Sequence, residues 1–205
     1  MSLLTKNLVL NNTNDILKLK ESKDQRIKII LLNESILIKV LKVNNYYNIE
    51  EKIEELIKDM FSDYIPLVHY EKLRVRRKLF LIIYFIGCDE RFKKLLCERK
   101  KFSLIPYDLQ KKNFYIFNKV EIVLRNSRIK VYFKKRLILL RNIEEQSVIE
   151  DIKDEIKNLE ETFNISIKSF NLIISKEYIT DELKESFKDA KLSEIRGEDN
   201  LYQKI

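Results

Sequence analysis

The sequence predicts an α+β fold with mixed sheets. Three features point there. Short apolar runs of strand length recur from Leu8 to Ile174, separated by clusters of Asn, Asp, Ser and Lys. Two longer stretches, Ile49 to Phe61 and Ile149 to Phe163, place apolar residues every three or four positions behind a polar cap. With hydrophobic residues at 45% and charged residues at 35%, the 205-residue chain can bury a core of its own.

Residues 1–34 carry three short runs expected as strands: Leu8 to Leu10, Ile16 to Leu19 and Ile27 to Leu32. Ile36 to Val43 has only Lys39 and Lys42 as polar residues and is expected as a mostly buried strand. Asn48 and Glu51 have capping-box spacing, which predicts a helix over Ile49 to Phe61 with Ile49, Ile53, Leu56, Ile57 and Met60 inward. Tyr64-Ile65-Pro66 stops it, because the residue before proline is held extended. Val68 to Val75 and Lys78 to Ile86 read as an antiparallel hairpin turning at Arg76-Arg77.

Asp89 is placed to cap a further helix with Phe92, Leu95 and Leu96 inward, and Phe102 to Ile105 is a short strand ended by Pro106-Tyr107-Asp108. Three strands follow: Phe114 or Val120 to Leu124, Ile129 to Phe133, and Leu137 to Leu140. Their turns are Arg125-Asn126-Ser127-Arg128 and Lys134-Lys135-Arg136. Ser147 and Glu150 form a second capping box, before a helix with Ile149, Ile152, Ile156, Leu159 and Phe163 inward. Phe170 to Ser175 is expected as a buried strand, and Thr180 as the cap of a last helix with Leu183, Phe187 and Ala190 inward. The tail from Arg196 is expected to fray.

Composition removes several function classes. Phosphate-cradling loops need glycine for close backbone approach, and the chain has 2 glycines. Cys88 and Cys97 form no CxxC pair and His69 is the single histidine, too few for the four ligands of a structural zinc site. No catalytic residue, metal or cofactor is expected. The longest apolar run, Leu79 to Ile86, falls far short of the ~20 residues a membrane helix needs. Lys6, Asn7 and Asn11 to Asn14 interrupt any signal-peptide-like run, so the chain is expected to be soluble and cytoplasmic. A longer, membrane-anchored parent stays open.

Charge is unevenly placed. Residues 72–141 hold 21 basic and 5 acidic side chains, whereas residues 142–205 hold 9 and 16. The basic block could meet nucleic acid, anionic lipid or an acidic partner, or could pair with the acidic end.

Ser35 to Asp108, read in order, resembles the actin-like proteins of type IV pilus and type II secretion platforms, the PilM/GspL group. Ile36 to Leu41 stands where that family has an apolar strand, Ile49 to Phe61 its acidic helix, Tyr64-Ile65-Pro66 its Tyr-Ile-Pro turn, and Leu79 to Ile86 the next apolar strand. The resemblance implies a shortened actin-like, ribonuclease-H-like scaffold with a strand-helix-strand-strand insert. The expected organisation is N-terminal strands over 1–34, the strand-helix-strand-strand subdomain with its following helix over 35–100, and a ribonuclease-H-like half over 101–205. The family's nucleotide-binding members hold phosphates with Asp/Gly-rich turns. Leu124 to Arg128 has no glycine and no evident metal-binding carboxylate, and Ser175-Lys176 stands where a Gly-Gly turn belongs. The resemblance therefore implies a non-enzymatic scaffold whose partner is a cytoplasmic peptide of a bitopic membrane protein.

Two clusters are candidate sites. Tyr46, Tyr47, Tyr64, Ile65 and Pro66 border the acidic helix and could line a groove for an extended peptide, or pack beneath the helix. Arg74, Arg76, Arg77 and Lys78, with Lys134, Lys135 and Arg136, form the densest basic patches. The nearby Phe114, Tyr115, Phe117, Tyr132 and Phe133 could stack bases or belong to the core. Glu121 is expected as a solvated strand residue, and the helix carrying Asp151, Asp154 and Glu155 is expected to be apolar on its inward face. The function expected is a pilus or secretion assembly protein, steered by its basic block towards an acidic partner or the anionic inner face of the membrane. The alternative is a nucleic-acid-binding accessory protein for plasmid maintenance or replication.

Overall fold

The computed structural model describes residues 5–10, 26–31, 36–61, 66–87, 90, 94, 102–106, 120–125, 127–144 and 147–195. The chain divides into two compact units, Met1–Gln110 and Lys111–Ile205. Their strands make mixed α+β architecture throughout.

Unit 1 runs β1 (Thr5–Leu10), β2 (Arg26–Leu31), β3 (Ile36–Val43), α1 (Ile49–Met60), β4 (Leu67–Val75), β5 (Lys78–Ile86) and β6 (Phe102–Pro106). The run at Ile16 to Leu19 lies outside the described residues, as does most of the helix expected after Asp89, of which Glu90 and Lys94 are helical. β1, β2 and β6 form a parallel sheet in the order β1-β2-β6. Phe102–Pro106, expected at the head of the second half, thus pairs with β2 inside unit 1.

The second sheet of unit 1 is antiparallel, in the order β3-β5-β4. β5 is its centre because it is apolar on both faces; every residue from Phe80 to Ile86 is buried. α1 covers one face. Its Ile49 and Ile53 pack on Leu81, Ile83 and Phe85, with Leu56, Ile57 and Met60 partly buried beside them, and Phe61 meets Phe85 at 5.3 Å between ring centroids. The helix therefore lies across a sheet made from its own flanking segments.

Two expectations for this region need correction. β3 is an edge strand, not a mostly buried one: only Ile36 is buried, and Leu37, Lys39 and Lys42 are exposed. Asn48 makes no side-chain cap; it sits at φ 51°, in the left-handed region that Asn tolerates, so it turns the chain instead. α1 ends at Met60, within one residue of the expected bound, and Phe61 is extended; Tyr64 and Ile65 lie outside the described residues.

Unit 2 runs β7 (Val120–Arg125), β8 (Arg128–Phe133), β9 (Arg136–Asn142), α2 (Val148–Phe163), β10 (Phe170–Ile174), a 3-10 turn (Lys176–Tyr178), α3 (Asp181–Ser186) and β11 (Lys191–Glu194). The sheet order is β11-β10-β7-β8-β9. The first three strands form an antiparallel meander with an irregularity at Val131/Tyr132. β10 and β11 add in parallel beside β7. Ile122, Leu124, Ile129, Val131, Leu172 and Ile174 are wholly buried. Phe133 and Phe163 meet at 4.9 Å, which seats the end of α2 beside β8.

Here too the sequence expectations meet corrections. α3 is a single short helix, and residues past Phe187 pass into β11, a strand with one apolar residue, Leu192, that forms by pairing with β10. Thr180 caps α3 as expected, its Oγ1 accepting from the Leu183 N–H at 3.1 Å. Ser147 does not cap α2; its hydroxyl donates to Asp151 Oδ2 at 2.7 Å. Glu121, expected in solvent, is buried on the central strand β7. The inward face of α2 is not wholly apolar, because Glu155 is buried on it. In the β8–β9 turn Lys134 and Lys135 both have positive φ (47° and 66°), the backbone of a tight primed hairpin, which more often uses Asn and Gly.

Candidate functional site

The strand-to-helix connection after β3 is ordered by its own side chains. The Tyr47 N–H donates to Asn45 Oδ1 at 3.0 Å, and Asn48 then reverses the chain into α1. The Tyr46 hydroxyl donates to the Leu73 carbonyl at 3.0 Å, with the Phe80 carbonyl at 3.3 Å, and Lys72 Nζ stands 5.2 Å from the ring centroid. Tyr46 is thus a strut between this loop and the β4–β5 hairpin. Tyr47 points outward, 76% exposed. Pro66 is buried. Tyr64 and Ile65, which complete the expected groove, lie outside the described residues.

A cleft lies at the start of this connection. Leu41 to Asn45 form one wall, and Lys52, Glu55, Leu56 and Asp59 of α1 form the other, enclosing about 430 Å³. The floor is apolar, from Leu41, Val43 and Leu56, and the rim is charged with both signs. Among the described residues β3 pairs with β5 alone, and its last residues line this cleft. Sequence reading missed these residues because they do not cluster by type. The available signal was the pair Lys39 and Lys42, since lysine is a common residue on unpaired strand edges.

The candidate basic residues lie in both units. Arg74, Arg76 and Arg77 are exposed and Lys78 is half-buried at the β4–β5 tip of unit 1. Lys134, Lys135 and Arg136 lie at the β8–β9 turn of unit 2, where Arg136 Nη1 donates to the Lys134 carbonyl at 3.2 Å. Tyr132 and Phe133 beside them are buried core residues, not stacking platforms. Phe114, Tyr115 and Phe117, like Cys88 and Cys97, lie outside the described residues.

Part of the basic block is matched by the acidic end within unit 2. Arg141 of β9 donates through Nε to Glu155 Oε1 at 2.8 Å and through Nη2 to Asp151 Oδ1 at 2.7 Å. Burial alone would raise the Asp151 pKa, but hydrogen bonds from Ser147 and Arg141 and the guanidinium charge outweigh it and hold the carboxyl below its ordinary value. On Arg141 burial also opposes the charged form, and the two carboxylates outweigh it and strengthen the cation. This is a structural clamp between β9 and α2.

A second cleft, of about 520 Å³, lies between the start of α2 and α3, with Glu150, Glu177, Glu182 and Lys153 around Val148 and Leu183. Among the described residues no group of three His, Cys, Asp or Glu side chains is placed to hold a metal ion. No helix among them is long and apolar enough to cross a membrane.

No protein-family model and no curated protein matches the chain. Among solved structures it is similar to the cytoplasmic domain of EpsL, an inner-membrane component of the type II secretion system of Vibrio cholerae. The identity is 10% and the TM-score 0.45, over 83% of this chain and 80% of that one.

Proposed function

We propose that this chain is a non-catalytic assembly protein of a pilus or secretion platform that docks a cytoplasmic peptide of a bitopic membrane partner. The observation that carries the docking is the cleft that β3 shares with α1, with β3 pairing to β5 alone among the described residues. The setting comes from the resemblance in element order. The β3-α1-β4-β5 order of unit 1 and the meander-helix-strand order of unit 2 are what a shortened actin-like scaffold with its insert implies. The β7–β8 turn carries Ser127 and no glycine, in keeping with a nucleotide cleft that has been lost. The exposed arginines of the β4–β5 tip add electrostatic steering towards an acidic partner or an anionic membrane face.

The test is binding of the whole chain to the cytoplasmic segments of membrane proteins encoded beside it. The wild type is compared with a variant whose cleft is filled by Asn44→Trp and Glu55→Trp, both at exposed positions. One segment is expected to bind, and filling the cleft to weaken it by about tenfold or more. Binding of no segment, or equal binding by the filled variant, overturns the reading. Saturable binding of ATP with Mg²⁺ would overturn the loss of the nucleotide site.

A second reading, nucleic-acid binding, is favoured by the concentration of Arg74, Arg76 and Arg77 at one hairpin tip. Filter binding at two salt concentrations separates the two. Contact with several phosphates falls steeply with salt, whereas docking on Leu41, Val43 and Leu56 changes little.

A further inference from the structure

We infer that the docked peptide joins the β3-β5-β4 sheet as a fourth strand along β3, and that β3 selects it by an apolar–acidic–apolar triplet at alternate positions. The inference rests on the docking reading above and adds the chemistry of the partner.

Among the described residues β3 hydrogen-bonds to β5 alone, so its far edge presents backbone N–H and C=O groups to an incoming strand. The register settles which side chains that strand would meet. Leu37, Lys39 and Leu41 pair with Phe85, Ile83 and Leu81, the residues on which α1 packs, so all three stand on the α1 side of the sheet. Leu37 is 43% exposed. Lys39 is exposed beside it, and Leu41 opens into the cleft. Residues directly opposite each other on neighbouring strands interact side chain to side chain. An added strand thus places an apolar residue against Leu37, a carboxylate against Lys39 and an apolar residue against Leu41.

The triplet is symmetric and reads the same in either strand direction. Lys42 breaks the symmetry. It is exposed on the opposite face, so a second carboxylate belongs directly after the triplet in a parallel peptide and directly before it in an antiparallel one. A second copy of this chain is the poorer occupant. β3 carries two lysines and no carboxylate, so pairing β3 with β3 brings like charges together.

The experiment is fluorescence anisotropy of labelled peptides with the whole chain. One peptide has the core Val-Thr-Glu-Thr-Val-Glu and a second Glu-Val-Thr-Glu-Thr-Val. A third replaces the central Glu by Lys, and a fourth places Pro at both Thr positions. The two acidic peptides are expected to bind, the tighter one reporting strand direction. The Lys peptide should bind about tenfold more weakly and the Pro peptide not measurably. The exposed-site variant Lys39→Glu should reverse the preference between central Glu and central Lys. Equal binding of the Glu and Lys peptides overturns the selection rule, and undiminished binding of the Pro peptide overturns strand addition; both leave docking at the cleft standing. If none of the peptides binds while a membrane segment still depends on the cleft, strand addition is wrong and docking stands. If neither binds, both fail. A dimer by sedimentation that Lys39→Glu strengthens or abolishes would make a second copy the occupant and overturn the proposal.

Discussion

Each unit sets an amphipathic helix beside a strand at the edge of its sheet, and the two treat the cations of that strand in opposite ways. In unit 2 Arg141 of β9 is held by two carboxylates of α2, one of them on an almost fully buried side chain. In unit 1 the face of α1 that packs on the sheet is apolar, Glu55 and Asp59 line the cleft, and Lys39 and Lys42 of β3 are exposed. The clamp ties the Arg141 side chain to α2, and the helix cannot move aside without stripping two carboxylates of their partner. The apolar face of α1 packs on β5 and leaves a cleft beside β3. That difference is the physical reason for placing recognition in unit 1 and structural reinforcement in unit 2.

The largest effect should come from the apolar side of the comparison. Ile83 is wholly buried on β5 beneath α1, so Ile83→Ala should cost about 3 kcal/mol, the lost transfer energy plus a cavity. Urea unfolding of the whole chain measures it. A loss below about 1 kcal/mol would mean that α1 rests only loosely on the sheet.

Arg141→Ala should cost about 2 kcal/mol. This is less than the full penalty of breaking a buried pair, because the Arg141 side chain is 37% exposed and solvent screens part of the charge. Replacing both ends, Arg141→Met with Glu155→Leu, should recover most of that loss, since the buried carboxylate goes with its partner. If the double variant is no better than the single, the clamp is not what holds α2 to β9. Acid tests the same contact. The folded Asp151 pKa lies below its ordinary value, so its stabilisation is full above about pH 4 and fades as the pH falls through the lower folded value. Asp151→Asn should flatten that part of the stability-against-pH curve; an unchanged curve would assign the acid sensitivity to other carboxylates.

Smaller effects separate the helix starts. Thr180→Ala should cost about 1 kcal/mol, because its hydroxyl oxygen accepts a first-turn N–H. Asn48 has no such bond and sits at φ 51°, so Asn48→Gly should be neutral or slightly stabilising, within about 0.5 kcal/mol. A loss of a full kcal/mol at Asn48→Gly would show that its side chain caps α1 after all.

The contrast between the units also marks what could be read from residues alone. β3, α1, β4 and β5 were legible almost to the residue, because apolar runs, a charged helix face and the Arg76-Arg77 turn agree with one another. Whether β3 is central or at an edge was not legible, since an apolar run looks alike in both places until its neighbours are known. Spacing put Ile149 and Ile156 on the inward face of α2, yet Val148 and Glu155 are buried there. Ile149 and Ile156 are half-buried, and Glu155 is tolerated on that face because Arg141 supplies its partner from a different element. The signal was present: Asp151 and Glu155 stand four apart on a helix that follows an arginine-bearing strand. β11 was invisible, because Lys191 to Glu194 has no strand pattern and takes its form from β10. The cleft was least legible of all, being a gap between elements whose lining shares no chemistry.

The smallest expected change in stability sharpens the comparison most. Lys39 and Lys42 are exposed and touch no core, so Lys39→Thr with Lys42→Thr should leave the unfolding free energy within about 0.5 kcal/mol. The same change removes the like charges that oppose strand-to-strand pairing and leaves Leu37 at an uncharged edge, so the variant should self-associate with rising concentration. Sedimentation velocity over a hundredfold concentration range reads the outcome directly. Association of the variant, with a wild type that stays monomeric, would show that the β3 edge is open and guarded by charge. A variant that is equally monomeric would mean that the edge is covered, and the contrast with the clamped edge of unit 2 would then fall.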